Sequence, residues 1–171
     1  MNKNALNEPV SDVVLMHSYS LPLHGAERIW LHDFAPFLNS GLTDQQRELI
    51  HEGFDAFADN ASHFSHGSTL HIIVEQSLNN IEMTFQDNGT GIYKRLGMDC
   101  PGATTAFEIL DAYMTKHPNC SINQLAPRFD YVRIESNGLC FPASSASEGE
   151  EEMFEQGTTV VLALTLNHPV K

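Results

Sequence analysis

Two consecutive runs of strict alternation constrain this chain more than any other feature. Leu70, Ile72 and Val74 alternate with His71, Ile73 and Glu75, and Ile81, Met83 and Phe85 alternate with Glu82, Thr84 and Gln86. Side chains on an extended strand switch faces at every residue. Two such runs around the turn Ser77-Leu78-Asn79-Asn80 therefore specify a hairpin with one apolar face. Asp87 has the parity of Ile81, Met83 and Phe85, which aims its carboxylate at the core side. A carboxylate aimed inward is costly unless paired or hydrogen-bonded, so something polar must meet it there. Asn88-Gly89-Thr90-Gly91 follows at once, and its glycines permit a sharp turn and close approach of backbone to a ligand.

Upstream, Ile50, Phe54, Phe57, Ala61 and Phe64 recur at spacings of 4, 3, 4 and 3, the period of an amphipathic helix. Thr43, with Gln46 three residues later, forms a capping box that starts this helix; it runs to about Phe64, where Ser65-His66-Gly67-Ser68 closes it. Asn60 shares a face with Gly53, Ala56, His63 and Gly67. Small residues beside a polar asparagine leave room for a ligand, and close packing of helix on sheet is the plainer alternative.

The remaining elements are shorter. Val13 to Met16 is expected as a strand, and Ala26 to Leu38 as a helix interrupted by Pro36. Ala103 to Thr115 is expected as a helix with Ala106, Phe107, Leu110 and Tyr113 or Met114 inward, followed by a short helix at Ser121 to Leu125. Tyr131 to Ser136 and Thr159 to Leu166 are expected as strands, separated by an acidic, serine-rich loop from Asn137 to Gln156. This order predicts an α+β fold: a two-layer sandwich in which a mixed, mostly antiparallel sheet is covered by helices on one face. At 171 residues the chain is read as one domain, with residues 1–10 as a frayed end.

Composition excludes several function classes. The net charge of −13 argues against nucleic-acid binding, which needs a basic footprint, and against an anionic membrane surface. No apolar run approaches the roughly 20 residues that span a bilayer. The N-terminus lacks a basic segment followed by an apolar one, and Cys100, Cys120 and Cys140 lack CxxC spacing, so free thiols in a cytoplasmic protein are expected. His63 and His66 have no third ligand spaced to join them in a metal site, and Lys94 with Arg95 could supply charge for phosphates, although a solvated surface pair is the expected reading. GxSxG and GxxxxGK motifs are absent.

The helix asparagine and the DNGTG turn, about 27 residues apart, resemble the motifs of the GHKL ATPases, the superfamily of gyrase, the heat-shock chaperone, histidine kinases and mismatch-repair proteins. The likeness covers roughly residues 43–92 and, more loosely, 129–166. It is nearest to stand-alone histidine-kinase-like ATP-binding domains. It implies a Bergerat-type sandwich, with Asn60 in Asp59-Asn60-Ala61 coordinating Mg²⁺ and Asp87 accepting from the adenine amino group. Gly89 and Gly91 would complete that box, and Thr158 of Gly157-Thr158 would lie near the adenine. Two departures matter. The glutamate that the family carries one turn before the asparagine is here Ala56, and no glycine occurs between Gly102 and Gly138, where the family has its glycine-rich lid.

The expected function is therefore a regulatory domain binding ATP or ADP with Mg²⁺, with weak or no hydrolysis and a regulatory protein as partner. Two alternatives are a degenerate member that binds no nucleotide and serves as a protein-interaction module, and a protein serine kinase of anti-sigma type. The kinase is disfavoured by Ala56.

Overall fold

The computed structural model describes residues 12–38, 41–142 and 157–166. Six strands form one sheet: β1 (Val13–Ser20), β2 (Thr69–Gln76), β3 (Asn80–Asp87), β4 (Tyr131–Ser136), β5 (Leu139–Phe141) and β6 (Thr158–Thr165), in the spatial order β1-β2-β3-β6-β4-β5. Every neighbouring pair is antiparallel, so the expected admixture of parallel pairing is absent among the described residues. Among the described residues five α-helices accompany the sheet: α1 (Ala26–Ile29), α2 (Asp44–Phe64), α3 (Ile92–Met98), α4 (Ala106–Lys116) and α5 (Ser121–Leu125). The architecture is an α+β two-layer sandwich.

The sheet register matches the hydrophobic pattern. Ile72 stands opposite Phe85, Phe85 opposite Val160, and Val160 opposite Ile134, so one transverse row of apolar side chains crosses four strands on the covered face. All four are buried. Helix α2 lies over this face, with Ile50, Phe54 and Phe57 buried and the Phe54 ring 5.8 Å from that of Phe85. Trp30 and Phe34 flank Phe54 at centroid distances of 5.0 and 5.3 Å, which extends the aromatic core toward β1. Each such buried side chain contributes about 1.5–3 kcal/mol relative to an exposed one. The opposite face, with His71, Glu75 and Tyr131, is open to solvent.

Helix α2 begins as its sequence dictates: Thr43 Oγ1 accepts from the Gln46 amide at 3.2 Å, and Gln46 Oε1 accepts from the Thr43 amide at 2.9 Å. The same device at Thr105 and Glu108 starts α4, which places its first residue at Ala106 rather than Ala103. Its buried face is Ala106, Ile109 and Leu110, so Phe107 points outward, is 63% exposed, and stacks on Phe141 instead of entering the core. The segment before Pro36 also departs from a single helix. It runs from α1 into a π-helical turn, Trp30–Phe34, and a 3₁₀ turn, Ala35–Phe37. Proline has no amide to give the ladder, and its ring crowds the carbonyl four residues earlier.

Two elements appear where a loop or nothing was expected. Helix α3 follows Gly91 directly. Strand β5 pairs with β4 around Asn137-Gly138, whose φ values of 51° and 72° are those of a two-residue type I′ hairpin turn. The acidic run 147–152 and residues 1–10 lie outside the described residues.

Candidate nucleotide-binding site

The register places polar groups in one line at the end of the sheet. Leu70 stands opposite Asp87, Asp87 opposite Thr158, and Thr158 opposite Ser136, all on the covered face. Neighbouring strands lie about 4.8 Å apart, so one carboxylate and two hydroxyls share a short transverse row.

Asp87 is buried, with 8% of its surface exposed. Its Oδ1 accepts from the Gly89 amide at 2.7 Å, and the Thr158 amide on the neighbouring strand also favours the charged carboxylate. Burial raises its pKa above the ordinary carboxylate value, and the two amides offset part of that rise. The inward carboxylate thus has the polar partners its strand parity demands, and they come from the turn and from β6.

The DNGTG turn is fastened on both sides. Asn88 Oδ1 accepts from the amides of Ser68 and Thr69, at 2.8 and 3.0 Å. The Ser65 carbonyl, at the end of α2, accepts from both the amide and the hydroxyl of Thr90. Gly89 lies against that carbonyl so closely that a Cβ would overlap it. Gly91 has φ +90°, in the left-handed region that side chains avoid, and a Cβ there would overlap the Asn137 amide. Asn137 Oδ1 accepts from the Lys94 amide and its Nδ2 donates to the Thr90 carbonyl, at 3.0 and 3.1 Å. The Ile92 amide, at the start of α3, donates to the hydroxyls of Thr158 and Ser136, at 2.9 and 3.0 Å. Ser136 in turn donates to the Gly157 carbonyl at 2.7 Å.

A cavity of about 210 Å³ opens beside this turn. Its sheet floor is Phe85, Asp87, Thr158 and Val160, and one wall is the α2 face carrying Phe57, Asn60, Ala61 and Phe64. Helix α3 supplies a second wall through Ile92, Arg95 and Leu96, after Gly91. Tyr113 of α4 and residues Asn119 to Ile122 close the far side. Asn60, Asp87, Gly91 and Thr158 therefore face one space. Gly89 does not line it; its amide fixes the Asp87 carboxylate.

Other expectations are adjusted here. Above Asn60 the small-residue stripe is filled: the Phe129 ring and Leu162 pack directly on Gly53, so that stretch of α2 is packed on the fold rather than left open to a ligand. Arg95 does not belong to a solvated pair. Only Lys94 is exposed, whereas the Arg95 guanidinium lies over the Phe64 ring, 4.4 Å from its centroid, and lines the cavity. The stretch without glycine after Gly102 forms the far wall through α4 and α5.

No carboxylate of α2 lines the cavity. Glu52 is bound to Arg128, Asp55 pairs with His51 at 3.3 Å, and Asp59 is exposed. A general base must come within hydrogen-bond reach of its proton, and α2 offers none here. Among the described residues no group of three His, Cys, Asp or Glu side chains could hold a metal, and no helix is long and apolar enough to cross a membrane. The three cysteines are free.

Sequence analysis missed Ser136, Asn137 and the far wall, and it favoured a solvated surface pair for Arg95. An Asn-Gly pair after an alternating strand is a strong hairpin signal, and it marked residues 137 and 138. Nothing in the sequence pattern signals that Asn119 to Ile122 meet the α2 face. No family model matches this chain, and no curated protein aligns with it.

Proposed function

We propose that this chain is an adenine-nucleotide-binding regulatory domain of the GHKL type that binds ATP or ADP with Mg²⁺ and does not hydrolyse ATP efficiently. One observation carries the reading. A buried carboxylate at the floor of a mostly apolar cavity shares that cavity with the helix asparagine, Gly91 and Thr158. Apolar walls with a few placed polar groups are what a flat heteroaromatic base requires. Asp87 would accept from the exocyclic amino group of adenine, with Phe57, Phe85, Ile92 and Val160 around the ring.

Asn60 fits a Mg²⁺ ion in a limited way. Its side chain supplies one hard oxygen, and Mg²⁺ characteristically takes one or two protein ligands and fills its shell with phosphate oxygens and water. When bound, the ion would neutralise phosphate charge beside α2. Helix α2 offers hydrolysis no base, since Ala56 is partly buried against the core and the acidic groups of α2 are engaged or turned away.

The interaction-module reading is favoured by one specific feature: the Asp87 carboxylate already has a partner within the chain, the Gly89 amide. Amide chemical shifts during titration with ADP and Mg²⁺ separate the two readings. Nucleotide binding predicts saturable shifts concentrated at Asn60, Asp87 to Ile92 and Thr158. A spectrum unchanged at millimolar nucleotide would leave the interaction module.

A further inference from the structure

Resting on the nucleotide reading, we propose that Arg95 is the residue that recognises an anionic phosphoryl group in this cavity, and that Phe64 holds it there. Of the described side chains lining the cavity, only Asp87 and Arg95 carry a full charge, and their signs are opposite. A ligand matched to this lining presents hydrogen-bond donors to one and an anion to the other. The chain carries a net charge of −13, so an approaching anion is repelled by the molecule as a whole and is drawn locally to this guanidinium.

The position of Arg95 is set by two independent elements. Helix α3 is anchored by the Ile92 amide on Thr158 and Ser136, and Arg95 lies one turn along it. On the other side, Phe64 is four residues beyond Asn60 on α2, a spacing that puts two side chains on one helix face about 5–6 Å apart. The Arg95 guanidinium rests on that ring at 4.4 Å. A cation over an aromatic face is attracted by the ring's quadrupole, and the planar fork keeps its edge donors for an oxyanion. Among the described residues no carboxylate pairs with Arg95. The guanidinium is therefore beside whatever Asn60 holds, with its donors uncommitted.

The same geometry limits how much charge the site recognises. With a single guanidinium in the lining, one phosphoryl group gains a cationic partner and any further one gains none. Affinity should consequently rise in one step along the series adenosine, AMP, ADP, ATP rather than evenly.

Calorimetric titration of the full chain with each of these four ligands, in EDTA so that Mg²⁺ and Asn60 do not contribute, tests this. Wild type should gain about tenfold or more at one step of the series. Arg95→Met should abolish that step while lowering adenosine affinity by much less, and Arg95→Lys should retain part of it. Phe64→Leu should reduce the step about two- to fivefold. A step that survives Arg95→Met, an even rise along the series, or an equal loss of adenosine affinity in Arg95→Met would overturn the role of Arg95 while the nucleotide reading stands. Failure of all four ligands to bind wild type would instead overturn the nucleotide reading, and this inference with it.

Discussion

The Ile92 amide donates to the Thr158 hydroxyl at 2.9 Å, joining the start of α3 to β6 across 66 residues of chain. Thr158 also stands opposite Asp87 in the β3–β6 register. One residue thus ties the helix that carries Arg95 to the strand that carries Asp87. Thr158→Val keeps the β-branched shape and removes the hydroxyl. It should cost about 1 kcal/mol in urea unfolding, since the Ile92 amide retains Ser136. Thr158→Ser should retain most of the stability. Equal losses in the two variants would show that the hydroxyl is not what matters.

Two glycines of neighbouring segments should respond in opposite ways to alanine. At Gly89 a Cβ would overlap the Ser65 carbonyl, a backbone atom that also holds Thr90 and cannot move aside cheaply. Gly89→Ala should destabilise by about 1–3 kcal/mol. Gly97, inside α3, has only the Ile109 side chain near its added methyl, at 3.9 Å. Gly97→Ala should stabilise by about 0.4–1 kcal/mol, chiefly by restricting the unfolded chain. Denaturant midpoints of the two variants check both signs, and a destabilised Gly97→Ala or a neutral Gly89→Ala would contradict the packing described.

Asp87 gives a pH dependence of definite sign. Its pKa in the fold is raised, mainly by burial, so the folded state binds the proton more tightly than the unfolded chain does. The associated stability is present below the ordinary aspartate value of about 3.9 and is lost as pH rises through the raised value. Relative to Asp87→Asn, whose side chain does not titrate, wild type should lose stability across that window and then level off. Paired thermal melts at a series of pH values measure the difference. A difference that grows in favour of wild type as pH rises would mean the amides of Gly89 and Thr158 outweigh burial.

Much of this arrangement was legible in the sequence where several local signals agreed. Helix α2 carried a capping box and a 4-3-4-3 apolar repeat; the box holds, and the repeat is buried from Ile50 to Ala61 but ends on Phe64, which is half exposed. The parity of Asp87 on β3 placed its carboxylate on the covered face, where the register puts it. What escaped was set by contacts between distant segments. Phe107 has the composition of a core residue, yet the cap at Thr105 fixes the phase of α4 and turns it outward. Arg95 is brought to the cavity by a ring on another helix, and Gly53 is packed by Phe129, 76 residues later in sequence. Strand β5 has three residues, too short for alternation to show.

The central claim is that Asp87 reads an adenine base in the cavity beside α2. Isothermal titration with ADP and Mg²⁺, comparing wild type with a folded Asp87→Asn variant, tests it most directly. The account predicts saturable binding to wild type at millimolar nucleotide or below, and loss of that binding in the variant. No heat with wild type, or the same affinity in both proteins, would contradict it.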